Sequence, residues 1–399
     1  MQRLPTLVLV ALLVVAAACS STESATDPAG DGSDPTVSPT APTAPSSTAP
    51  PATAPPSTTP PSTTDAPPTF AAAEPEAVGL TAEAIADAVA VAEATASNCL
   101  VVARDGQVVH EQYWNGTDAA TDQQIFSATK TVAAVLVGIA ADEGLLAIDE
   151  PASTHLTEWV GTPSEGVTIR QLLANTSGRY QDLVSDYVDM TAAEDRSAFA
   201  IALEQQHDPD TVWVYNNAAI QTLEEVLERA VGMDVEAFAR DRLFEPLGME
   251  VAFERDPAGN PGTYTSLRAG CRDLLAFGHL LLSDGRWADQ QIVSAEFLAE
   301  ATEPGSELNA AYGFLLWRNA TEGWSHPSPF VDTSGPAWPD APPGAFAAMG
   351  AGQQITLVVP ETGTVIVRLG PPQVEVEEWK PNFSIINALA GAVGGRPGR

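Results

Sequence analysis

Hydrophobic and polar positions change period several times along the chain, and each change marks an element. After Met1-Gln2-Arg3, an apolar run from Leu4 to Ala18 spans about 15 residues, short of the roughly 20 that a membrane-spanning helix needs. From Ser20 to Thr69 the periodicity vanishes. The stretch is almost wholly Ser, Thr, Pro, Ala, Gly and Asp, so it cannot bury a core, and its prolines favour extended polyproline II. Leu80 to Ala96 returns to helical register and opens with Thr81 as an N-cap. Two β-rich runs, Cys99 to Ala103 and Gln107 to Tyr113, flank Arg104-Asp105-Gly106 and predict a hairpin. The next segment, reaching about Leu146, puts Val132, Val135, Leu136 and Ile139 on one stripe, which predicts a buried helix rather than a surface one.

From about Asp149 to Glu300 the pattern is mostly helix and loop. Thr168-Ile169-Arg170-Gln171 reads as a capping box, and Asn175-Thr176-Ser177-Gly178 stops the helix that follows. Gln221 to Val231, Val235 to Leu243 and Arg272 to Leu282 hold helical register. Strand patterning returns at Tyr312 to Trp317, Gln354 to Val359 and Thr364 to Leu369, and an apolar helix runs from about Phe383 to Val393. Strands at both ends with helices between predict an α+β fold: one antiparallel sheet formed by the two chain ends, flanked by helices, with an inserted mainly helical lobe. A cleft between sheet and lobe would hold a site.

Composition narrows the function classes. Asp+Glu 52 against Lys+Arg 18 gives a formal net charge of -34, and no basic stripe interrupts it, which argues against a nucleic-acid partner. The apolar run closes on Ala16-Ala17-Ala18 before Cys19, the form of a secretory signal over residues 1–18. A cysteine directly after the small residues resembles a bacterial lipobox, with Ala16 where Leu or Val is usual. That resemblance implies lipidation at Cys19, a Pro/Ser/Thr-rich tether over 19–69, and a domain over 70–399 anchored to the outer face of a bacterial membrane; plain secretion is the alternative. Cys99 and Cys271 then remain, an even number in an oxidising compartment, which favours a disulfide over two buried thiols.

The candidate chemistry centres on Phe126-Ser127-Ala128-Thr129-Lys130. Serine and lysine three apart at a helix start share one face, so the ammonium can lie against the hydroxyl, and the unpaired N–H groups there favour a developing oxyanion. Lys130 is one of only two lysines, the other being Lys380. The plainer reading makes Ser127 an N-cap and leaves Lys130 in solvent. There is no G-x-S-x-G, H-E-x-x-H or C-x-x-C, and no histidine has motif context; no metal or organic cofactor is implied. Tyr215-Asn216-Asn217 lies in an irregular stretch before a helix. A phenol near an ammonium can shuttle a proton, since the positive charge favours phenolate; a core aromatic is the plainer reading. Small residues in Phe346 to Gln354 would let a backbone N–H approach a ligand, although a turn before an edge strand would look the same.

The ordered set Ser127-x-x-Lys130, Tyr215-x-Asn217 and Ala348-Met349-Gly350 resembles the penicillin-recognising serine hydrolases, related to class C β-lactamases and D-alanyl-D-alanine peptidases. The closer likeness is to the 6-aminohexanoate-dimer hydrolase branch. It covers roughly Glu74 to Leu389 and takes in V-T-I-R-Q-L-L-A-N-T-S-G at Val167 to Gly178 and R-L-F-E-P-L-G-M at Arg242 to Met249. The resemblance implies a β-lactamase/transpeptidase-like fold and an acyl-enzyme on Ser127. It gives Lys130 and Tyr215 the acid/base roles, Asn217 and Gly350 substrate contacts, and the N–H groups of Ser127 and Ala351 the oxyanion hole. The third motif departs from the family: Ala348 and Met349 lack the charge and hydroxyl that receive a carboxylate. Gln353 stands where relatives often carry Gly, so a different local backbone is expected. The implied substrate is a small-molecule amide or ester. The alternatives are a D,D-peptidase or β-lactamase acting on cell-wall peptides or β-lactams, and a non-catalytic envelope binding protein of the same fold.

Overall fold

The structure is a computed structural model, and it describes residues 70–327, 332–371 and 381–393. The signal, tether and Cys19 expectations fall outside these residues. Six strands form one sheet: β1 (Cys99–Arg104), β2 (Gln107–Tyr113), β3 (Trp317–Arg318), β4 (Phe346–Gly350), β5 (Gln354–Val359) and β6 (Thr364–Leu369). Their order is β2-β1-β6-β5-β4-β3, antiparallel throughout. The join between the two chain ends is β1 against β6, in register from Cys99 opposite Leu369 to Arg104 opposite Thr364. Asp105 and Gly106, both at positive φ (51° and 73°), close the β1–β2 hairpin, as a tight turn between twisted strands requires.

The five longer helices among the described residues are α1 (Ala82–Ala94), α2 (Thr129–Asp142), α3 (Asn217–Val231), α4 (Cys271–Leu282) and α5 (Pro381–Val393). Thr81 caps α1, its hydroxyl accepting the Ala84 N–H at 3.1 Å. Helix α4 lies across β1, β5 and β6, while α1 and α5 pack on each other. The insertion between β2 and β3 contributes the helical lobe, whose α3 packs on α2. With β4 also against it, α2 is buried on every side from Thr129 to Ala140, well beyond the one stripe read from its sequence. The capping box at Thr168 and Gln171 forms as expected.

Two strand expectations change. Tyr312 to Trp317 is not a strand: Leu315 takes φ 54°, the chain turns back on itself, and Tyr312 bridges Trp317, leaving only β3 to join the sheet. Conversely, Phe346 to Gly350 is a full strand rather than a turn, pairing with β5 from Phe346 opposite Val358 to Gly350 opposite Gln354. A side chain at Gly350 would overlap the carbonyl oxygen of Ile125, so glycine is what lets β4 close against the segment leading to Ser127.

Cys99, the first residue of β1, is disulfide-bonded to Cys271, the first residue of α4, across 172 residues of sequence. Replacing both by serine is expected to lower unfolding free energy by about 2–4 kcal/mol, read from a urea titration. Gly350→Ala is expected to lose about 1–3 kcal/mol by overpacking, seen as a lower midpoint in the same titration.

Candidate active site

The segment carrying Ser127 is fastened before its chemistry begins. Gln123 and Gln124 pair with Ala269 and Arg268, the Ile125 N–H donates to the Leu267 carbonyl at 3.0 Å, and the Thr129 hydroxyl accepts the Leu267 N–H at 3.1 Å. Phe126 takes φ 49°, a conformation that costs a bulky residue about 1 kcal/mol or more. The chain then makes one 3₁₀ turn, Phe126–Ala128, before α2 begins. Ser127 thus stands on a sharp bend, partly exposed, at the head of a helix buried on all sides.

Lys130 is not a surface residue. It is 1% exposed, and its Nζ donates to Ser127 Oγ at 2.9 Å and to the Tyr264 carbonyl at 2.7 Å. The same nitrogen lies 4.8 Å from the centre of the Tyr215 ring and 5.6 Å from that of Tyr264. Burial brings its ammonium down to about 7 against the opposing pull of the Asp186 charge. A lysine poised there can exist as free amine at neutral pH, and its hydrogen-bond partner is a serine hydroxyl.

Tyr215 meets the same serine, hydrogen-bonding Ser127 through its hydroxyl. The expected phenolate does not follow. Burial pushes the Tyr215 phenol well above its ordinary range, overriding the Ser127 hydrogen bond that favours ionisation. Its ring stacks on Trp317 at 6.3 Å and meets Tyr312 edge-on at 6.1 Å. The stretch that presents it is held by Asn175, whose carbonyl accepts the Val214 N–H at 3.0 Å and whose side-chain oxygen accepts the Asn216 N–H at 3.4 Å. Asn175-Thr176-Ser177-Gly178 therefore does more than end a helix. Asn216 caps α3, accepting the Ala219 N–H at 2.8 Å, and Asn217 is the helix's first residue, buried.

Sequence reasoning missed the group that Asn217 faces. Asp186, 1% exposed in a π-helical turn (Ser185–Asp189), accepts the N–H groups of Asn217 at 3.0 Å and Ala218 at 2.8 Å. The Asn217 side chain also bonds this carboxylate and the phenol of Tyr187. Burial raises the Asp186 carboxyl to about 6, while the two N–H bonds and Lys130 hold it down. No motif marks Asp186. The missed Tyr264 contact is made by a backbone carbonyl, which no residue identity announces.

The third motif lies on β4, with Ala348 and Met349 both buried and paired with Thr356 and Ile355. Beyond Gly350, Ala351 enters a turn in which Gly352 and Gln353 take φ 71° and 64°. Gln353 thus holds a left-handed backbone that a residue with a side chain rarely adopts. Arg368, fully buried on β6, fastens the turn by donating to the carbonyls of Gln353 at 2.7 Å and Gly352 at 3.3 Å. Among the described residues no cluster of His, Cys, Asp and Glu could hold a metal ion.

Comparison with known proteins agrees with this architecture. The family described as Beta-lactamase matches residues 81–370. Penicillin-binding protein 4* of Bacillus subtilis is 28% identical over 140 residues, 32% of this chain and 29% of that protein, so under a third of its length is spanned. Penicillin-binding protein 4 of Amycolatopsis lactamdurans is 26% identical over 319 residues, covering 68% of this chain and 79% of that protein. A solved Bacillus anthracis structure named for 6-aminohexanoate-dimer hydrolase shares the fold, with a TM-score of 0.61 at 20% identity over 75% of this chain and 81% of that one. Because the family match takes in both strand groups of the sheet and the helical insertion between them, the chain belongs to the Beta-lactamase family.

Proposed function

We propose that this chain is an exported serine hydrolase that cleaves an amide or ester through a covalent acyl-enzyme on Ser127. The observation that carries the reading is the 2.9 Å contact between Ser127 Oγ and a lysine nitrogen that burial has brought to about 7. Lys130 takes the serine proton as Oγ bonds to the substrate carbonyl carbon. The N–H groups of Ser127 and Ala351 receive the oxyanion. Tyr215 keeps its own proton, since burial disfavours phenolate, and passes a proton along its hydroxyl to the leaving nitrogen or oxygen. Water then attacks the acyl-enzyme and releases the acid. Asn217 and Gly350 border the acyl group in this reading.

The substrate is an amide or ester without a carboxylate at the position a penicillin would fill. Ala348 and Met349 are buried and carry no charge or hydroxyl to receive one. The names of the two penicillin-binding relatives keep a peptidase or β-lactamase as the second reading. Export rests on the apolar N-terminal run, with Cys19 the lipidated residue and residues 19–69 the tether. The Cys99–Cys271 disulfide suits an oxidising compartment.

Ser127→Ala is expected to lower turnover of p-nitrophenyl esters and short amides by on the order of 10³-fold or more. A chromogenic cephalosporin assayed alongside should turn over poorly with the wild type; rapid turnover would favour the second reading, and no turnover of any activated ester would favour a binding protein. The pH dependence follows from Lys130. Its folded value lies below the ordinary lysine range, so it is a protonated, inactive ammonium below about 7 and a free amine above. kcat/KM should therefore rise with an apparent pKa near 7 and fall about tenfold per pH unit on the acid side. A flat profile between pH 5 and 9 would remove Lys130 from the proton path.

A further inference from the structure

Taking the proton of Ser127 turns Lys130 into an ammonium in a place where water cannot reach it. Its polar contacts are one hydroxyl and one carbonyl, with two aromatic rings beside it. A buried cation without a counter-charge is strongly disfavoured, so a site that creates one needs an anion built in. Asp186 is that anion. Its carboxylate is as deeply buried as Lys130, and it is fixed at both oxygens by the N–H groups of Asn217 and Ala218. The titratable groups around it are Lys130 from α2, Tyr187 beside it, Tyr215 from the stretch before α3, and Tyr264 from the loop whose carbonyl holds Lys130. Lys130 is the one cation in that set, and each charge stabilises the other.

We propose that Asp186 is a positioning residue for the acylation step: it pins the start of α3, and with it Tyr215 and Asn217, while supplying the counter-charge for the ammonium that forms on Lys130. This rests on Lys130 being the base for Ser127. During acylation the Oγ–H bond breaks, the proton binds Lys130 Nζ, and the Oγ–carbonyl carbon bond forms, so the net charge of the Lys130–Asp186 pair goes from minus one to zero. When the leaving group departs it takes a proton from the same relay, and the pair returns to minus one. A carboxylate that only capped α3 would contribute to stability and leave the ionisation of Lys130 unmoved.

The chain's two lysines make a direct test practical, because Lys380→Arg protein made with ε-¹³C lysine reports Lys130 alone. In that full-length protein the Lys130 resonance should move in two steps, its own ionisation and a second on the acid side as Asp186 loses its proton, from values near 7 and 6. In Asp186→Asn the acid-side step should vanish, and the Lys130 ionisation and the rising limb of kcat/KM should both move down by about one pH unit. A single step in the parent protein, or an unmoved Lys130 ionisation in Asp186→Asn, overturns the proposal. Should the variant fail to fold, the parent's acid-side step decides by itself. Because the resonance reports ionisation without turnover, a failed nucleophile assignment, seen as activity surviving in Ser127→Ala, is distinguishable from a failed role for Asp186.

Discussion

The burial of one lysine nitrogen against one serine oxygen is the constraint on which the rest of the structure depends. In water the amine of Lys130 would be protonated and useless as a base at neutral pH. Enclosed between the sheet and the helical lobe, it is brought to about 7 by desolvation, and its 2.9 Å contact with Ser127 gives that shift a consequence. The enclosure has to be complete, because a lysine with access to water relaxes toward its ordinary value. Helix α2 accordingly has no solvent face along Thr129–Ala140, an unusual demand on a helix whose apolar stripe alone would have satisfied one neighbour.

Each wall of the enclosure is tied to a different part of the chain. The strand before Ser127 is held by the segment 267–269, and the same loop contributes the Tyr264 carbonyl to Lys130. Strand β4 closes in where Gly350 meets Ile125, and the turn after it is clamped by buried Arg368. The lobe delivers Tyr215 through a stretch that Asn175 holds, with Asp186 anchoring the helix that follows. The site is thus a meeting of three separately braced pieces, and the β1–β6 pairing joins the chain ends within the sheet to which β4 belongs. Preorganisation of this kind is where enzymes obtain much of their electrostatic advantage.

What could be read from residue order was what is local. Ser127 and Lys130 are three positions apart, so spacing puts them on one helical face and makes their contact possible, and the Asp105-Gly106 hairpin and the Thr168 capping box follow from the same short-range rules. The α+β arrangement followed from strands at both ends of the chain, and the family match carries it from 81 to 370. What stayed hidden were contacts with no local signature. Asp186 lies 56 positions from Lys130 in a π-helical turn that no periodicity marks, and a carbonyl such as that of Tyr264 has no identity to recognise. The strand expected at Tyr312 to Trp317 failed because Leu315 adopts a left-handed backbone that its side chain does not advertise. The phenolate expected at Tyr215 failed because one positive charge nearby was weighed without the burial that opposes ionisation.

Chemical mapping of the nucleophile tests this arrangement most directly. Full-length protein treated with a fluorophosphonate at pH 8, digested and sequenced by mass spectrometry should carry a single phosphonyl group on the peptide containing Ser127, and labelling should weaken as pH falls below 7. A modified serine elsewhere in the chain, or equal labelling of Ser127 at pH 5 and pH 8, would contradict a nucleophile governed by the amine of Lys130.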